Sequence, residues 1–386
     1  MTDVRIPLSE PTFAGREMDY LHACIEEGFV SSAGRFVDEF QSGFAKSVGA
    51  SRAVACSSGT AALHLALLAV GVEPGDEVWC SDLTFIASAN AAAYCGARVG
   101  LVDSERETWN LDPTIVIDEL ERRAREGLAL PAAIMIVHVL GHPADTAPIL
   151  EAARRYGVKV VEDAAESLGA SWRDGPLDGR QTGTVADVGC YSFNGNKLIT
   201  CGGGGMIVTE DHGIADRAQH LSTQAKIPGS DYRHDEIGFN YRLTNLAAAV
   251  GLAQLEQLDD LLRRRQNVLA AYRRGLEGVP DVTPPARASW AEPSGWLSTI
   301  LVPDEEARGV LRAALADVGV ESRPIWAPLH HQAPYASAAR LGVGGAAREL
   351  GRRGLSLPSS ATLREDDQAE IIEVIRDVVA RGWTAG

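Results

Sequence analysis

No apolar run in the 386-residue chain approaches the roughly 20 residues that a bilayer-spanning helix needs, and Met1–Glu10 carries no basic and apolar leader. A cytoplasmic protein without a membrane partner is expected. Basic charge is also short. The 36 Lys and Arg against 52 Asp and Glu leave a formal charge of -16, which repels nucleic acid unless charge is strongly segregated. No basic stripe reverses this, so no nucleic-acid partner is expected. The one compact basic run, Arg263-Arg264-Arg265, falls in a polar, leucine-containing helical stretch and reads as a solvated helix face. Six cysteines, Cys24, Cys56, Cys80, Cys95, Cys190 and Cys201, form no Cys-x-x-Cys pair and no metal-ligand spacing. They read as reduced thiols in the core or near a site. His138, His142, His330 and His331 lack a suitably spaced third ligand, and neighbours on a strand or loop point apart, so no metal site is expected. Internal repeats and low-complexity tracts are absent as well.

What is present is enough apolar material for a large core, 45% of residues, and enough length for one large domain and a smaller one. From Arg52 to about Val208, short apolar strands alternate with amphipathic helices, the pattern of a mainly parallel sheet covered on both faces. Seven strands are predicted: Ala53–Cys56, Glu77–Ser81, Arg98–Val102, Ala132–Leu140, Val158–Glu162, Val188–Ser192 and Gly205–Thr209. A helix over Ala147–Tyr156, stopped by Gly157, makes a β-α-β crossover that delivers Asp163 to a strand end, where ligands of such sheets gather. A helical tract runs from Leu243 to about Arg274. The composition then changes, which divides the chain into a large domain, residues 1–275, and a smaller C-terminal α+β domain, residues 276–386.

The most telling residue is Lys197, in Tyr191-Ser192-Phe193-Asn194-Gly195-Asn196-Lys197 ahead of Gly202-Gly203-Gly204-Gly205. A lysine amine condenses with an aldehyde. If the aldehyde is pyridoxal 5'-phosphate, the protein must also supply an anion cradle, a carboxylate for the pyridine nitrogen and an apolar face for the ring. Ser57-Ser58-Gly59-Thr60, between a strand and the helix Ala61–Val70, suits the phosphate because backbone N–H groups at a helix start are unpaired. Phe85 offers an aromatic face and Asp163 the carboxylate. Taken singly, these are a solvated lysine, a helix cap, a core aromatic and a strand-end carboxylate. Their order along the chain gives them force. The glycine run lacks the strand-Gly-x-Gly-x-x-Gly-helix order of a dinucleotide loop and reads as a close backbone approach.

With these residues in hand, the chain resembles the sugar aminotransferases of the DegT/DnrJ/EryC1/StrS family, in the fold type I class of pyridoxal-phosphate enzymes. The matching motifs are Ser58-Gly59-Thr60-Ala61-Ala62-Leu63, Thr84-Phe85, Glu162-Asp163-Ala164-Ala165, Tyr191-Ser192-Phe193, Lys197, Gly203-Gly204-Gly205, Gly238-Phe239-Asn240-Tyr241-Arg242-Leu243-Thr244-Asn245 and Leu357-Pro358-Ser359. Asn194-Gly195-Asn196-Lys197, Ser222-Thr223-Gln224-Ala225 and Glu321-Ser322-Arg323-Pro324-Ile325-Trp326 resemble the members that aminate UDP-4-keto-6-deoxy-N-acetylglucosamine on the bacillosamine route.

The resemblance implies an imine to the cofactor at Lys197, ring-nitrogen pairing by Asp163 and stacking by Phe85. It also implies phosphate contacts from the Ser58-Gly59-Thr60 cradle and Ser192, with Asn240 reaching the neighbouring subunit's cofactor in a homodimer with shared sites. L-Glutamate is the implied amino donor, pyridoxamine 5'-phosphate the aminated cofactor form, and a 4-keto sugar nucleotide the acceptor. Arg323, Trp326, His330 and the stretch Ala225 to Arg233 are placed on the sugar-nucleotide side, with a plain loop histidine as the alternative for His330. Many family members carry Gln where this chain has Glu166. An amide donates to the cofactor's phenolic oxygen and an ionised carboxylate cannot, so Glu166 is either protonated there or turned elsewhere. Rival readings are amination of TDP- or GDP-linked keto sugars or of an aminocyclitol, a sugar dehydratase on the same scaffold, which has His in place of the lysine, and a non-catalytic sensor.

Overall fold

A computed structural model describes Val4–Thr384. Its largest sheet runs, edge to edge, through Arg52–Cys56, Gly205–Thr209, Val188–Ser192, Lys159–Asp163, Ala133–Val137, Glu77–Ser81, Arg98–Val102 and Ala339–Leu341. Gly205–Thr209 is antiparallel to both its neighbours and the remaining pairs are parallel. The seven strands expected from the sequence are all present. The eighth, Ala339–Leu341, comes from the C-terminal part and pairs with the Arg98–Val102 edge. Its short, half-polar sequence gave no strand signal, because the pairing rather than local propensity creates it.

Alternating side chains along these strands enter different cores, as the two-residue period requires. Val54, Cys56, Cys190 and Ile207 pack with Leu63, Leu65 and Leu67 of the helix Gly59–Ala69. Ala55, Tyr191, Met206 and Val208 pack on the other face with Phe36, Phe40 and Phe44. With both faces covered, Ala133–Val137 (Ala-Ile-Met-Ile-Val) is buried throughout. That strand ends three residues earlier than expected. Leu140 has φ 57° inside a single helical turn, Val139–Gly141, and its N–H donates to Glu166 Oε2 at 2.8 Å.

The helical tract after Leu243 is two helices, Asn245–Leu255 and Leu258–Leu276. At the break, Gln257 Nε2 donates to the carbonyl of Ala253 and to Glu17 Oε1, side-chain bonds that replace helical continuity. The second helix ends beside the expected boundary at residue 275. Beyond it lies a three-stranded antiparallel sheet ordered Ser298–Leu301, Gly354–Leu357, Arg323–Pro324, with Ile300, Leu311, Leu315, Ile371 and Ile375 packed against Tyr272 of the long helix. All six cysteines are buried as free thiols. No helix among the described residues is long and apolar enough to cross a membrane.

Candidate active site

The carboxyl ends of the parallel strands open into a cavity of about 480 Å³, lined by residues from many separated parts of the chain, Leu8 to Ser356. Ser58 caps the helix Gly59–Ala69, its hydroxyl accepting from Ala61 N–H at 3.0 Å, so the N–H groups of Gly59 and Thr60 have no helical acceptor. A Cβ on Gly59 would lie 2.8 Å from Ser192 Cβ. Gly59 therefore lets the helix start sit against Ser192 and form a concave cradle at the positive end of the helix dipole. Gly203 and Gly204 line the same end.

Across the cavity, Asp163 ends its strand. Its Oδ2 accepts from Ser88 Oγ at 2.8 Å and its Oδ1 from Ala165 N–H at 3.1 Å. Burial raises its pKa, which those two donors and the charge of Lys197 oppose. Lys197 follows the strand Val188–Ser192 through a turn in which its N–H bonds to Asn194 O at 3.0 Å. Its side chain is 13% exposed, with Nζ 3.9 Å from Glu166 Oε1 and 4.0 Å from the centre of the Trp296 ring. Burial pushes the lysine's pKa down, against the pull of Glu166 and Asp163. It pushes Glu166 up, against Lys197 and the Leu140 N–H. Both groups thus move toward their neutral forms, and a neutral lysine amine is the nucleophile that imine formation needs. Glu166 has not turned elsewhere. It faces Lys197.

The match to known proteins agrees with this geometry. Residues 11–376 match the model of the DegT/DnrJ/EryC1/StrS aminotransferase family. The chain belongs to that family. It is 40% identical over 383 residues to GDP-perosamine synthase of Caulobacter vibrioides, covering 98% of this chain and 100% of that one. It is 38% identical over 388 residues to EpsN of Bacillus subtilis (strain 168), named as a pyridoxal phosphate-dependent aminotransferase, covering 99% and 98% of the two chains. A crystal structure of a DegT DnrJ EryC1 StrS aminotransferase from Brucella abortus superposes with a TM-score of 0.87 at 30% identity, covering 94% of this chain and 95% of that one. The protein is a fold type I aminotransferase whose cofactor is pyridoxal 5'-phosphate. The residues present fit that group: a glycine-shaped anion cradle, a buried carboxylate and a lysine amine share one cavity.

Ser58, Gly59, Thr60, Phe85, Asp163, Glu166, Ser192, Lys197, Arg323 and Trp326 all line the aminotransferase cavity. Phe85 is 51% exposed there, an open ring face on a residue that composition alone would assign to the core. Asn240 is exposed and forms a bridge with Thr223, away from this chain's cavity. The stretch Ala225 to Arg233 does not line it either. His330 is also outside the lining. Its Nδ1 lies 2.5 Å from Asp82 Oδ2, a tether that holds the ring against the end of the strand Glu77–Ser81. The rings of His330 and His331, expected to point apart, meet at 4.2 Å because a tight helical turn carries them. The basic run Arg263-Arg264-Arg265 is solvated only at Arg263 and Arg264, while the helix turns Arg265 inward and buries it.

Sequence reading missed Ser88 and Trp296. Ser88, at the start of the helix Ala87–Tyr94, lies four residues after Thr84 with 3.2 Å between the hydroxyls, and that spacing was the available signal. Trp296 reaches the site from the C-terminal part and had no such signal. His220, Asp235 and Glu236 bring possible metal-ligand atoms together on the surface, but Arg217 already pairs with Glu236 and the His220 ring with Asp235.

Proposed function

We propose that this aminotransferase moves an amino group from L-glutamate to a nucleotide-linked 4-keto-6-deoxy sugar, working as a homodimer in the cytoplasm. The observation that carries the reading is the continuity of one cavity from Lys197 and Asp163 to Arg323 and Trp326. One end suits imine chemistry and the other suits an anionic, flat ligand. Arg323 is exposed and its Nη2 donates to Glu321 Oε1 at 2.8 Å, which leaves other guanidinium donors for a diphosphate. Trp326 stacks on Trp296 with planes 14° apart, offering a platform beside the lysine.

When bound, the cofactor supplies the electron sink. The chain does the rest. Asp163 would keep the ring nitrogen protonated, Phe85 would offer its face to the ring, and Ser58, Gly59, Thr60 and Ser192 would hold the phosphate. Lys197 Nζ would hold the cofactor and, when free, would act as the base and acid that takes up and gives back the proton of the donor's α-carbon. Glu166 Oε1, 3.9 Å from Lys197 Nζ, favours the protonated form of that nitrogen. Asn240, exposed and outside the lining of its own cavity, is assigned to the neighbouring subunit's phosphate.

The Asn194–Lys197, Ser222–Ala225 and Glu321–Trp326 motifs support a UDP-linked N-acetyl sugar, and the name of the Caulobacter relative supports a GDP-linked one. A coupled amination assay across UDP-, TDP- and GDP-4-keto-6-deoxy sugars separates them. Amination of none of these, with a 3-keto sugar or a cyclitol accepted instead, would overturn the 4-keto reading.

A further inference from the structure

Arg265 is a buried cation without a counter-ion. It sits mid-way along the helix Leu258–Leu276, 1% exposed, and among the described residues no carboxylate comes within ion-pair distance of it. Its Nη1 donates to Trp296 O at 2.9 Å, its Nη2 to Ser9 Oγ at 3.1 Å and to Lys197 O at 3.3 Å, and its Nε has no partner. Removing a guanidinium from water onto neutral oxygens alone is costly, and stability alone would favour an apolar side chain there.

The partners say what the charge is for. The carbonyl just before Lys197, that of Asn196, accepts from Ser9 Oγ at 3.0 Å and from Trp296 Nε1 at 2.8 Å. The carbonyl of Lys197 itself takes Arg265. The lysine's backbone is therefore fixed by the N-terminal segment, the long helix and the C-terminal part together, and the Trp296 ring lies against its Nζ. We propose that Arg265 is a positioning residue of the aminotransferase: its guanidinium pins the Lys197 carbonyl, and its uncompensated charge so near the lysine helps the Lys197 nitrogen give up its proton.

Glu166 Oε1 and the centre of the Trp296 ring lie 3.9 and 4.0 Å from that nitrogen, and the charges of Asp163 and Arg265 also act on it. Glu166 and Asp163 favour its charged form, Trp296 offers a neutral ring face, and Arg265 opposes the charge. Burial pushes the guanidinium's own pKa down to about 10, so it stays charged at neutral pH. The proposal rests on Lys197 carrying the cofactor, and its test separates the two.

The test uses cofactor-loaded wild type, Arg265→Gln, Arg265→Met and Arg265→Lys. The visible band of the lysine-linked cofactor is titrated with pH, circular dichroism confirms the fold, and borohydride reduction with peptide mapping locates the cofactor. Loss of the positive charge should raise the titration midpoint of the Gln and Met variants by about one pH unit, a differential interaction of about 1.4 kcal/mol. The Lys variant keeps the charge and should stay within about 0.3 unit of wild type. A folded Gln or Met variant with the wild-type midpoint, or a Lys variant shifted as far as they are, overturns the proposal. Should neither neutral variant fold, Ser9→Ala decides, because it removes a hydrogen-bond partner and no charge. An unmoved midpoint supports the charge effect and a shift of about one unit refutes it. Cofactor absent from Lys197 in the reduced wild type would instead sink the reading on which the proposal rests.

Discussion

Asp163→Asn should leave a protein that folds at least as well as wild type and hardly turns over. The shape of the side chain is kept. One Asn oxygen continues to accept the Ala165 N–H, and the amide nitrogen then faces Ser88, whose hydroxyl can accept it and turn its own proton to Phe85 O, 3.3 Å away. The hydrogen-bond cost of the swap is therefore about 1 kcal/mol or less. Against it stands a gain. Burial raises the Asp163 pKa above its unfolded value, so the carboxyl's contribution to stability is fully present only below the unfolded pKa. It is lost as pH rises through the folded value, and at neutral pH the buried charge is a cost to the cofactor-free protein. Asn carries no such cost. Cofactor-free Asp163→Asn should therefore unfold at the same temperature as wild type or higher at pH 8, and lose any advantage in acid. Catalysis should suffer, because a neutral amide cannot hold the pyridine nitrogen protonated. Loss of one preorganised electrostatic partner costs about 10²–10³-fold, or about 3–4 kcal/mol. Stopped-flow decay of the cofactor band on adding L-glutamate, beside thermal unfolding of both proteins, measures the two effects separately. A variant within about threefold of the wild-type rate would refute the assignment of Asp163, since that is far below the expected loss.

Glu166→Gln removes the carboxylate nearest Lys197 Nζ while its amide oxygen can still accept the Leu140 N–H. The lysine nitrogen then loses its proton at lower pH, so the midpoint of the cofactor band should fall, by up to about three units for a full charge 3.9 Å away at an effective dielectric of about 20, opposite in sign to the Arg265→Gln shift; spectrophotometric titration reads it directly. Gly59→Ala puts a methyl 2.8 Å from Ser192 Cβ at the floor of the anion cradle. It should cost about 1–3 kcal/mol of stability and weaken cofactor retention on dialysis, as measured by thermal unfolding and residual absorbance.

Legibility in the sequence followed the range of the contacts. Strand periodicity and the crossover ending at Asp163 are local, and so were visible, as were the helix start at Ser58 and the lysine behind Tyr191-Ser192-Phe193. The eighth strand, the break at Gln257 and the burial of Arg265 are settled by partners far away in the chain, which leave no periodic mark. Trp296 reaches the lysine loop across 100 residues, and Ser88 meets Asp163 across 75. Glu166 was legible as a departure, but not its orientation, because the left-handed turn at Leu140 that presents an N–H to it is a tertiary feature. Asn240 is exposed in the single chain, as are most residues of the stretch Ala225 to Arg233, though Ala225 itself is buried.

The chain has only four lysines, Lys46, Lys159, Lys197 and Lys226, which makes the central claim easy to test. Lys159 is tied to Asp187 at 2.8 Å on the surface, and neither it, Lys46 nor Lys226 lines the cavity. Borohydride reduction of the cofactor-loaded enzyme, followed by proteolysis and mass spectrometry, should place the phosphopyridoxyl increment on the peptide containing Lys197 and on no other. Recovery of that increment at Lys46, Lys159 or Lys226, with Lys197 unmodified, would contradict the account.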